Sequence, residues 1–221
     1  MIKPTTMPSH VPTTSWLRFT ILSGIAAMVS YAAAAFVPLP EKISLLLAFA
    51  FGPFFMLASL GYFHIIRAWK DSIALQVGVL FNIVGTSLVT LMLVVQQTSF
   101  TFHDRFKTER GDVFSEAQRA WVFKEVNAIQ LGTDLAWDLF ISAGTVFLAI
   151  GMWNHPAYRK IFPITGILVA VLLFSFNMAS FPVPPSEAGS VDFGPFVALW
   201  YLALTVWTWV HKAKISSMAV R

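Results

Sequence analysis

The segment IQLGTDLAWDLFISAGTVFLAIGMW (residues 129–153) carries two aspartates, Asp134 and Asp138, within an otherwise largely apolar run. About 20 apolar residues in an α-helix cross the ~30 Å hydrocarbon core of a bilayer, and this run is long enough to do so. An ionised carboxylate at such a depth costs at least ~2.5–3.5 kcal/mol, so these residues usually face a protein interior or a water-filled cavity. The segment is therefore interpreted as a membrane-spanning helix with a polar site.

The rest of the chain has the same membrane character. Its 221 residues are 57% hydrophobic and only 12% charged, whereas soluble domains carry roughly 25% charged residues. The apolar runs lack the alternation of barrel strands, and backbone groups in lipid must be satisfied internally, which favours helices. The predicted fold class is all-α: a polytopic integral membrane protein in which residues 1–221 form a single transmembrane domain. Six transmembrane helices in one bundle are expected at about 16–36, 43–66, 73–95, 129–153, 161–181 and 194–211.

The long loop between the third and fourth helices, residues 96–128, is predicted to contain an amphipathic helix. Ser115-Glu116-Ala117-Gln118 has the form of a capping box. Trp121, Val122 and Val126 follow it among charged residues. This helix is expected either to lie on the bilayer or to continue into the fourth span, as an interfacial anchor or as a lid over a pocket.

The distribution of Lys and Arg predicts the orientation, because cytoplasmic loops are enriched in these residues. One side of the predicted topology carries nine of them: Lys3, Arg18, Arg67, Lys70, Arg159, Lys160, Lys212, Lys214 and Arg221. The other side carries six: Lys42, Arg105, Lys107, Arg110, Arg119 and Lys124. Both termini are therefore expected to be cytoplasmic, with the long loop outside, in a bacterial inner (plasma) membrane.

That orientation places most polar residues of the spans in the outer half of the membrane. The predicted ligand-binding residues are Asp134, Trp137, Asp138, Asn177, Gln97 and Asp192. Asp134, Asp138, Ser142, Thr145 and Ala149 share one face of the fourth helix at spacings of three and four residues. Such a stripe of small and polar residues is expected to face other helices.

The aspartates have two interpretations. They could hydrogen-bond Asn177, Gln97 or Ser30 and simply hold the helices together. Alternatively, they line an outward-opening pocket that binds a cation, a proton or a polar headgroup, and this second interpretation is favoured. Because like charges at this spacing repel, one aspartate is expected to be protonated or a cation to lie between them.

Asp192 precedes the sixth helix, where Pro195 falls in the first turn. It is interpreted as a helix-start residue, with a role at the mouth of the pocket as the alternative.

Several site classes are excluded by composition or are not indicated. The chain has no cysteine, which excludes disulfides and thiolate metal sites. None of its five histidines is paired at metal-ligand spacing, and no phosphate-binding glycine loop or nucleophile elbow occurs. No metal and no cofactor are therefore predicted. Nucleic acid is not an expected partner, because the basic residues lie in short clusters beside the apolar spans.

Three functions of different class remain compatible with the sequence. The first is an enzyme that acts on a lipophilic substrate, with Asp134 and Asp138 as an acid/base pair. The second is a transporter or a protein that binds a cation or an amphiphile, and the third is a non-catalytic partner subunit. The expected partners are membrane lipids and a lipophilic small molecule, and the oligomeric state is left open.

Overall fold

The computed structural model describes residues 13–109 and 115–218, and these residues form seven α-helices and no β-strand. The helices are α1 (Thr13–Phe36), α2 (Glu41–Arg67), α3 (Ile73–Glu109), α4 (Glu116–Gly151), α5 (Ile161–Ser180), α6 (Gly194–Val210) and α7 (Lys212–Met218). Helices α1 to α5 are long and apolar enough to cross a membrane, and α6 is apolar but only 17 residues long. The prediction of an all-helical, multi-pass membrane protein is confirmed at this level.

The first six helices form a closed ring. Each packs against the next along the chain, and α6 packs against α1, while the short α7 contacts α1 and α6. Because the connections are short, successive helices run antiparallel. The ring therefore has two ends: the hairpin end, with the connections 37–40 and 181–193 and the start of α4, and the terminal end, with the connections 68–72 and 152–160 and with α7.

Close backbone contact joins α3 to α4. Four glycines line this contact: Gly78, Gly85, Gly144 and Gly151. A Cβ atom added at Gly78 would lie 2.6 Å from the backbone nitrogen of Leu148, and one at Gly85 would lie 3.0 Å from the backbone nitrogen of Ile141. Only glycine permits this approach, which is the usual role of small residues between membrane helices.

Helices α3 and α4 continue past the predicted spans. The segments 96–109 and 116–128, which were predicted to belong to the long loop, are helical, and together they are called the hairpin extension. Helix α4 begins with a capping box, in which the Gln118 amide donates to Ser115 Oγ at 3.3 Å and the Ser115 amide donates to Gln118 Oε1 at 2.9 Å. The segment predicted to be amphipathic is thus the first part of α4.

The centre of the ring is filled by large buried side chains from several helices. Tyr62 of α2, Ile141 and Leu148 of α4, and Tyr201 and Leu204 of α6 are all almost completely buried. The aromatic side chains of Phe55 and Tyr201 pack edge to face, with their ring centroids 4.6 Å apart. The polar residues described below lie within this packed interior.

Candidate functional site

The polar stripe of α4 faces the interior of the ring. Asp138 is 2% exposed, and Ser142, Thr145 and Ala149 below it are also buried. Asp134, one turn closer to the hairpin end, is half-buried. Helix periodicity explains why these side chains share one face of α4, because residues three and four apart stand on the same face.

Unpartnered polar atoms are concentrated around Asp138. In the described residues, four buried side-chain atoms have no hydrogen-bond partner: Asn82 Oδ1, Trp137 Nε1, Asp138 Oδ1 and Ser142 Oγ. Three of them belong to two consecutive turns of α4, with Trp137 and Asp138 in one turn and Ser142 in the next, and Asn82 packs on the same helix at Gly144. Leaving a buried polar group unpaired costs ~1–3 kcal/mol. Buried polar groups are otherwise nearly always paired, so a cluster of exceptions calls for a functional explanation.

The residues proposed as structural partners of the aspartates bond elsewhere. Asn177 Nδ2 donates to the carbonyl of Leu173 at 3.1 Å, and Ser30 Oγ donates to the carbonyl of Ala27 at 2.9 Å. Within the described ranges, neither aspartate forms a hydrogen bond with Asn177, Ser30 or Gln97. The aspartates therefore do not hold helices together through these three residues.

A small cleft opens beside Asp134 at the hairpin end. Its volume is about 20 Å³, and its walls are formed by Leu131, Asp134, Leu135, Asn177 and residues 181–184. Asn177 and Asp134 thus line the same cleft, although the two are not hydrogen-bonded. A space of this size holds about one water molecule.

Asp192 brings a third carboxyl group to the same end. Its Oδ1 accepts a hydrogen bond from the Gly194 amide at 2.8 Å, and Pro195 lies in the first turn of α6, so Asp192 is a helix-start residue. It is also close enough to interact electrostatically with both Asp134 and Asp138. In the part of the chain that the structure describes, no three acidic or histidine side chains are grouped so as to hold a metal ion.

Gln97 lies apart from the cleft at Asp134. It lines a groove of about 350 Å³ between the start of α2 and the end of α3, together with Leu45, Phe49 and Arg105. A second groove, of about 550 Å³, runs along the hairpin extension between Val94 of α3 and Val126 of α4. Asp134 and Asp138 do not line either groove.

Three neighbouring hydrogen-bonded groups of tyrosines and threonines, which were not predicted from the sequence, continue the polar stripe. Tyr201 Oη accepts from Asn82 Nδ2 at 2.9 Å and lies 3.0 Å from Thr145 Oγ1. Nearer the terminal end, Tyr62 Oη lies 2.7 Å from Thr205 Oγ1, and Tyr158 Oη lies 3.0 Å from Thr208 Oγ1. These residues are called the tyrosine network: Tyr62, Asn82, Thr145, Tyr158, Tyr201, Thr205 and Thr208.

One signal in the sequence could have revealed this network. Tyr201, Thr205 and Thr208 stand four and three residues apart and so share one face of the sixth helix, as the aspartates do in the fourth. The many aromatic residues of that helix obscure this pattern in the sequence. Its threonines and Tyr201 are buried, and their hydroxyls contact side chains of four other elements of the fold: α2, α3, α4 and the connection 152–160.

The terminal end is closed by the connection 152–160. The indole of Trp207 donates to the carbonyl of Ala157 at 2.8 Å, and the ring of Tyr158 packs against the ring of His155 with centroids 4.8 Å apart. His155 Nδ1 accepts a hydrogen bond from the Ala157 amide at 3.2 Å. Burial lowers the pKa of His155 from 6.5 to about 4, so this imidazole is neutral at neutral pH.

Comparison of the chain with protein-family models, with curated proteins and with solved structures finds no match. The function is therefore inferred from the geometry of the site.

Proposed function

We propose that this protein is a membrane transporter that binds and releases a proton at Asp138, with Asp134 at the entrance. The observation that supports this most directly is the group of unpartnered atoms around Asp138: Trp137 Nε1, Asp138 Oδ1, Ser142 Oγ and Asn82 Oδ1. A carboxyl group needed only for packing would be expected to have hydrogen-bond partners. In membrane helices, ionisable residues characteristically form proton relays and ion pathways.

The proposal includes six membrane-spanning helices with both termini in the cytoplasm of a bacterial cell. Helix α6, at ~1.5 Å per residue, is ~26 Å long, close to the thickness of the hydrocarbon core. Its packing against α1 and α5 supports a sixth span, since it completes the ring. The excess of Lys and Arg at the terminal end supports the orientation, and the hairpin end would then face the outside.

The size of the cleft favours a proton, or another particle no larger than a water molecule, over a lipophilic substrate. At about 20 Å³, the space beside Asp134 admits a water-sized particle and no lipophilic substrate. A neutral Asp138 avoids the ~2.5–3.5 kcal/mol that an ionised carboxylate costs in the membrane.

Binding of a lipophilic molecule is the second candidate, and the groove of about 550 Å³ along the hairpin extension favours it. Its walls include Val94, Val95, Phe102, Val122 and Val126. The groove begins where the predicted third span ends, so the chain of a membrane amphiphile could enter it from the bilayer. Acid/base catalysis on such a molecule is disfavoured, since neither aspartate lines the groove.

Proton flux in liposomes tests the main proposal. The purified protein is reconstituted with a pH-sensitive dye trapped inside, and a pH gradient is imposed with valinomycin and potassium to compensate charge. Asp138→Asn should reduce the flux to that of protein-free liposomes. Glu187→Gln is the matched control, because it removes an exposed carboxylate at the same end of the ring, and it should leave the flux unchanged.

Three results would contradict the proposal. Flux of the Asp138→Asn variant equal to the wild type would show that this carboxyl carries no proton. Flux that follows a sodium gradient at constant pH would identify a small cation as the transported species. No flux from wild-type protein, together with a stoichiometric protein partner in gentle purification, would favour the non-catalytic subunit instead.

A further inference from the structure

The tyrosine network lies between Asp138 and the opposite end of the ring. We infer that it is the second half of a proton route that runs from the hairpin end, through Asp138, to Tyr158 at the terminal end. This inference rests on the proposed function, because it assigns a path to the proton that Asp138 would bind.

The first part of the route lies on α4. Ser142 stands ~6 Å along the helix from Asp138, and Thr145 stands ~4.5 Å beyond Ser142. The hydroxyl of Ser142 has no hydrogen-bond partner. It can therefore turn either toward Asp138 or toward Thr145. Thr145 Oγ1 is already in contact with Tyr201 Oη at 3.0 Å, so the polar line passes from α4 to α6.

The second part lies along the buried face of α6. Thr205 is one turn beyond Tyr201, and its Oγ1 lies 2.7 Å from Tyr62 Oη. Thr208 stands three residues beyond Thr205 on the same face of α6. Thr208 Oγ1 lies 3.0 Å from Tyr158 Oη, and Tyr158 belongs to the connection 152–160 at the terminal end.

Hydroxyl groups can pass a proton without any other reactant. At rest, the hydroxyls of Thr205 and Thr208 donate to the backbone carbonyls of Tyr201 and Leu204, each at 2.8 Å, so they first rotate toward the next oxygen of the route. Each oxygen then accepts a proton through a lone pair and gives its own hydrogen to the next oxygen, so one O–H bond forms and one breaks at every step. The hydroxyls then rotate back before the next proton arrives. Tyrosine and threonine suit this role because each hydroxyl is both a donor and an acceptor.

Helix association alone would explain some of these hydrogen bonds, since polar side chains commonly join membrane helices. Helix association does not explain why Thr145, the network residue of α4, lies on the same helix face as the unpartnered atoms of Asp138 and Ser142. Asn82 belongs to both sets: its Nδ2 donates to Tyr201 Oη, while its Oδ1 has no partner. The network thus includes one of the four unpartnered atoms, on a side chain that packs against α4 at Gly144.

The deciding experiment removes one hydroxyl in the middle of the route. Tyr201→Phe keeps the aromatic ring and deletes the oxygen that Thr145 and Asn82 contact, so proton flux should fall to the level of protein-free liposomes. Ser59→Ala is the control, because Ser59 is an equally buried hydroxyl that donates only to the carbonyl of Phe55 in its own helix. Its flux should match the wild type.

Infrared spectroscopy separates this inference from the proposed function. The carboxyl stretch assigned to Asp138, as the band that Asp138→Asn removes, should persist in Tyr201→Phe, which would show a proton bound but not passed on. Normal flux in Tyr201→Phe, with flux abolished in Asp138→Asn, would overturn the route and leave the proposed function standing. Normal flux in both variants would overturn both.

Misfolding is controlled with a second position. If Tyr201→Phe does not elute as a single species in detergent, Tyr158→Phe serves in its place, since it removes the last hydroxyl of the route at the edge of the ring. Loss of flux in that variant, with its unfolding temperature close to the wild type, would support the route. Retained flux would overturn it.

Discussion

The two halves of the ring interior differ in how their polar side chains are bonded. In the half nearer the terminal end, Tyr62, Tyr158 and Trp207 each bond to a residue of another element of the fold. In the half nearer the hairpin end, Trp137 Nε1 and Asp138 Oδ1 have no hydrogen-bond partner. Both halves are buried, so exposure to solvent does not explain the difference.

This difference distinguishes buried polar groups that stabilise the ring from buried polar groups that do not. Helices in lipid associate through close packing of small residues and through hydrogen bonds between side chains, and the terminal half has both. The half nearer the hairpin end retains buried polar groups without hydrogen-bond partners. Exceptions to the rule that buried polar groups are paired are expected at functional sites. Substitutions of hydrogen-bonded residues in the terminal half should therefore cost stability as well as proton flux, whereas Asp138→Asn should cost flux with little loss of stability.

The largest expected loss of stability comes from Gly78→Ala in the terminal half. The added Cβ would lie 2.6 Å from the backbone nitrogen of Leu148, and a backbone cannot move aside as a flexible side chain can. Overpacking of this kind should lower the free energy of unfolding by about 2–3 kcal/mol. Titration of the protein with SDS in mixed micelles, followed by tryptophan fluorescence, measures the change.

Gly132→Ala is the matched control in the same helix pair, because nothing lies within 4 Å of a Cβ added there. Alanine is a better helix former than glycine by ~0.8–1.0 kcal/mol, so this variant should be as stable as the wild type or more stable. Equal effects at both glycines would show that α3 and α4 are not in close backbone contact.

Acid is expected to weaken the terminal end through His155. Because its pKa is lowered in the folded state to about 4, the stability it contributes is complete above ~6.5 and is lost as the pH falls toward 4. Between pH 8 and pH 5 the loss should be about 2 kcal/mol. Protonation of Nδ1 would also break the hydrogen bond from the Ala157 amide.

Unfolding followed at several pH values, for wild type and His155→Asn, tests this. The asparagine side chain can still accept a hydrogen bond through Oδ1 but does not titrate in this range. The variant should therefore lose the part of the pH dependence between pH 5 and pH 6.5. If its pH profile were superimposable on that of the wild type, His155 would not be the group responsible.

The helices could be read from the sequence because a membrane demands long apolar runs, and this signal is local. The predicted third and fourth spans, 73–95 and 129–153, lie largely inside α3 and α4. Both helices continue as the hairpin extension. Helix α4 begins well before its apolar run because Ser115 and Gln118 form a cap there. The capping signal was visible, but apolarity alone could not fix where the helices end.

The partners of buried side chains could not be read in the same way. Periodicity placed Asp138, Ser142 and Thr145 on one face, but it contains no information on which helix faces them. The contact between Thr145 and Tyr201 joins residues far apart in the chain, and it depends on how the ring closes. The glycines at 78, 85, 144 and 151, spaced by seven in each helix, were the available sign that α3 and α4 pack closely.

A smaller loss of stability, about 1 kcal/mol, is expected when one hydroxyl of the tyrosine network is removed from the terminal half. Tyr62→Phe leaves Thr205 Oγ1 without its side-chain partner at 2.7 Å. Hydrogen bonds between membrane helices are worth ~0.6 kcal/mol on average and up to ~1.7 kcal/mol. The same SDS titration measures this loss, and a variant as stable as the wild type would show that the paired groups of this half do not stabilise the ring.

Asp138→Asn should have the smallest effect on stability, below ~0.5 kcal/mol, because a neutral carboxyl and an amide have nearly the same shape and the Oδ1 atom has no partner to lose. An ionised, paired aspartate behaves differently: breaking a buried ion pair costs ~3–5 kcal/mol. SDS titration of Asp138→Asn beside Tyr62→Phe therefore decides between the two descriptions of this residue. A loss larger than that of Tyr62→Phe would mean that Asp138 holds the helices together, and the contrast between the two halves of the ring would disappear.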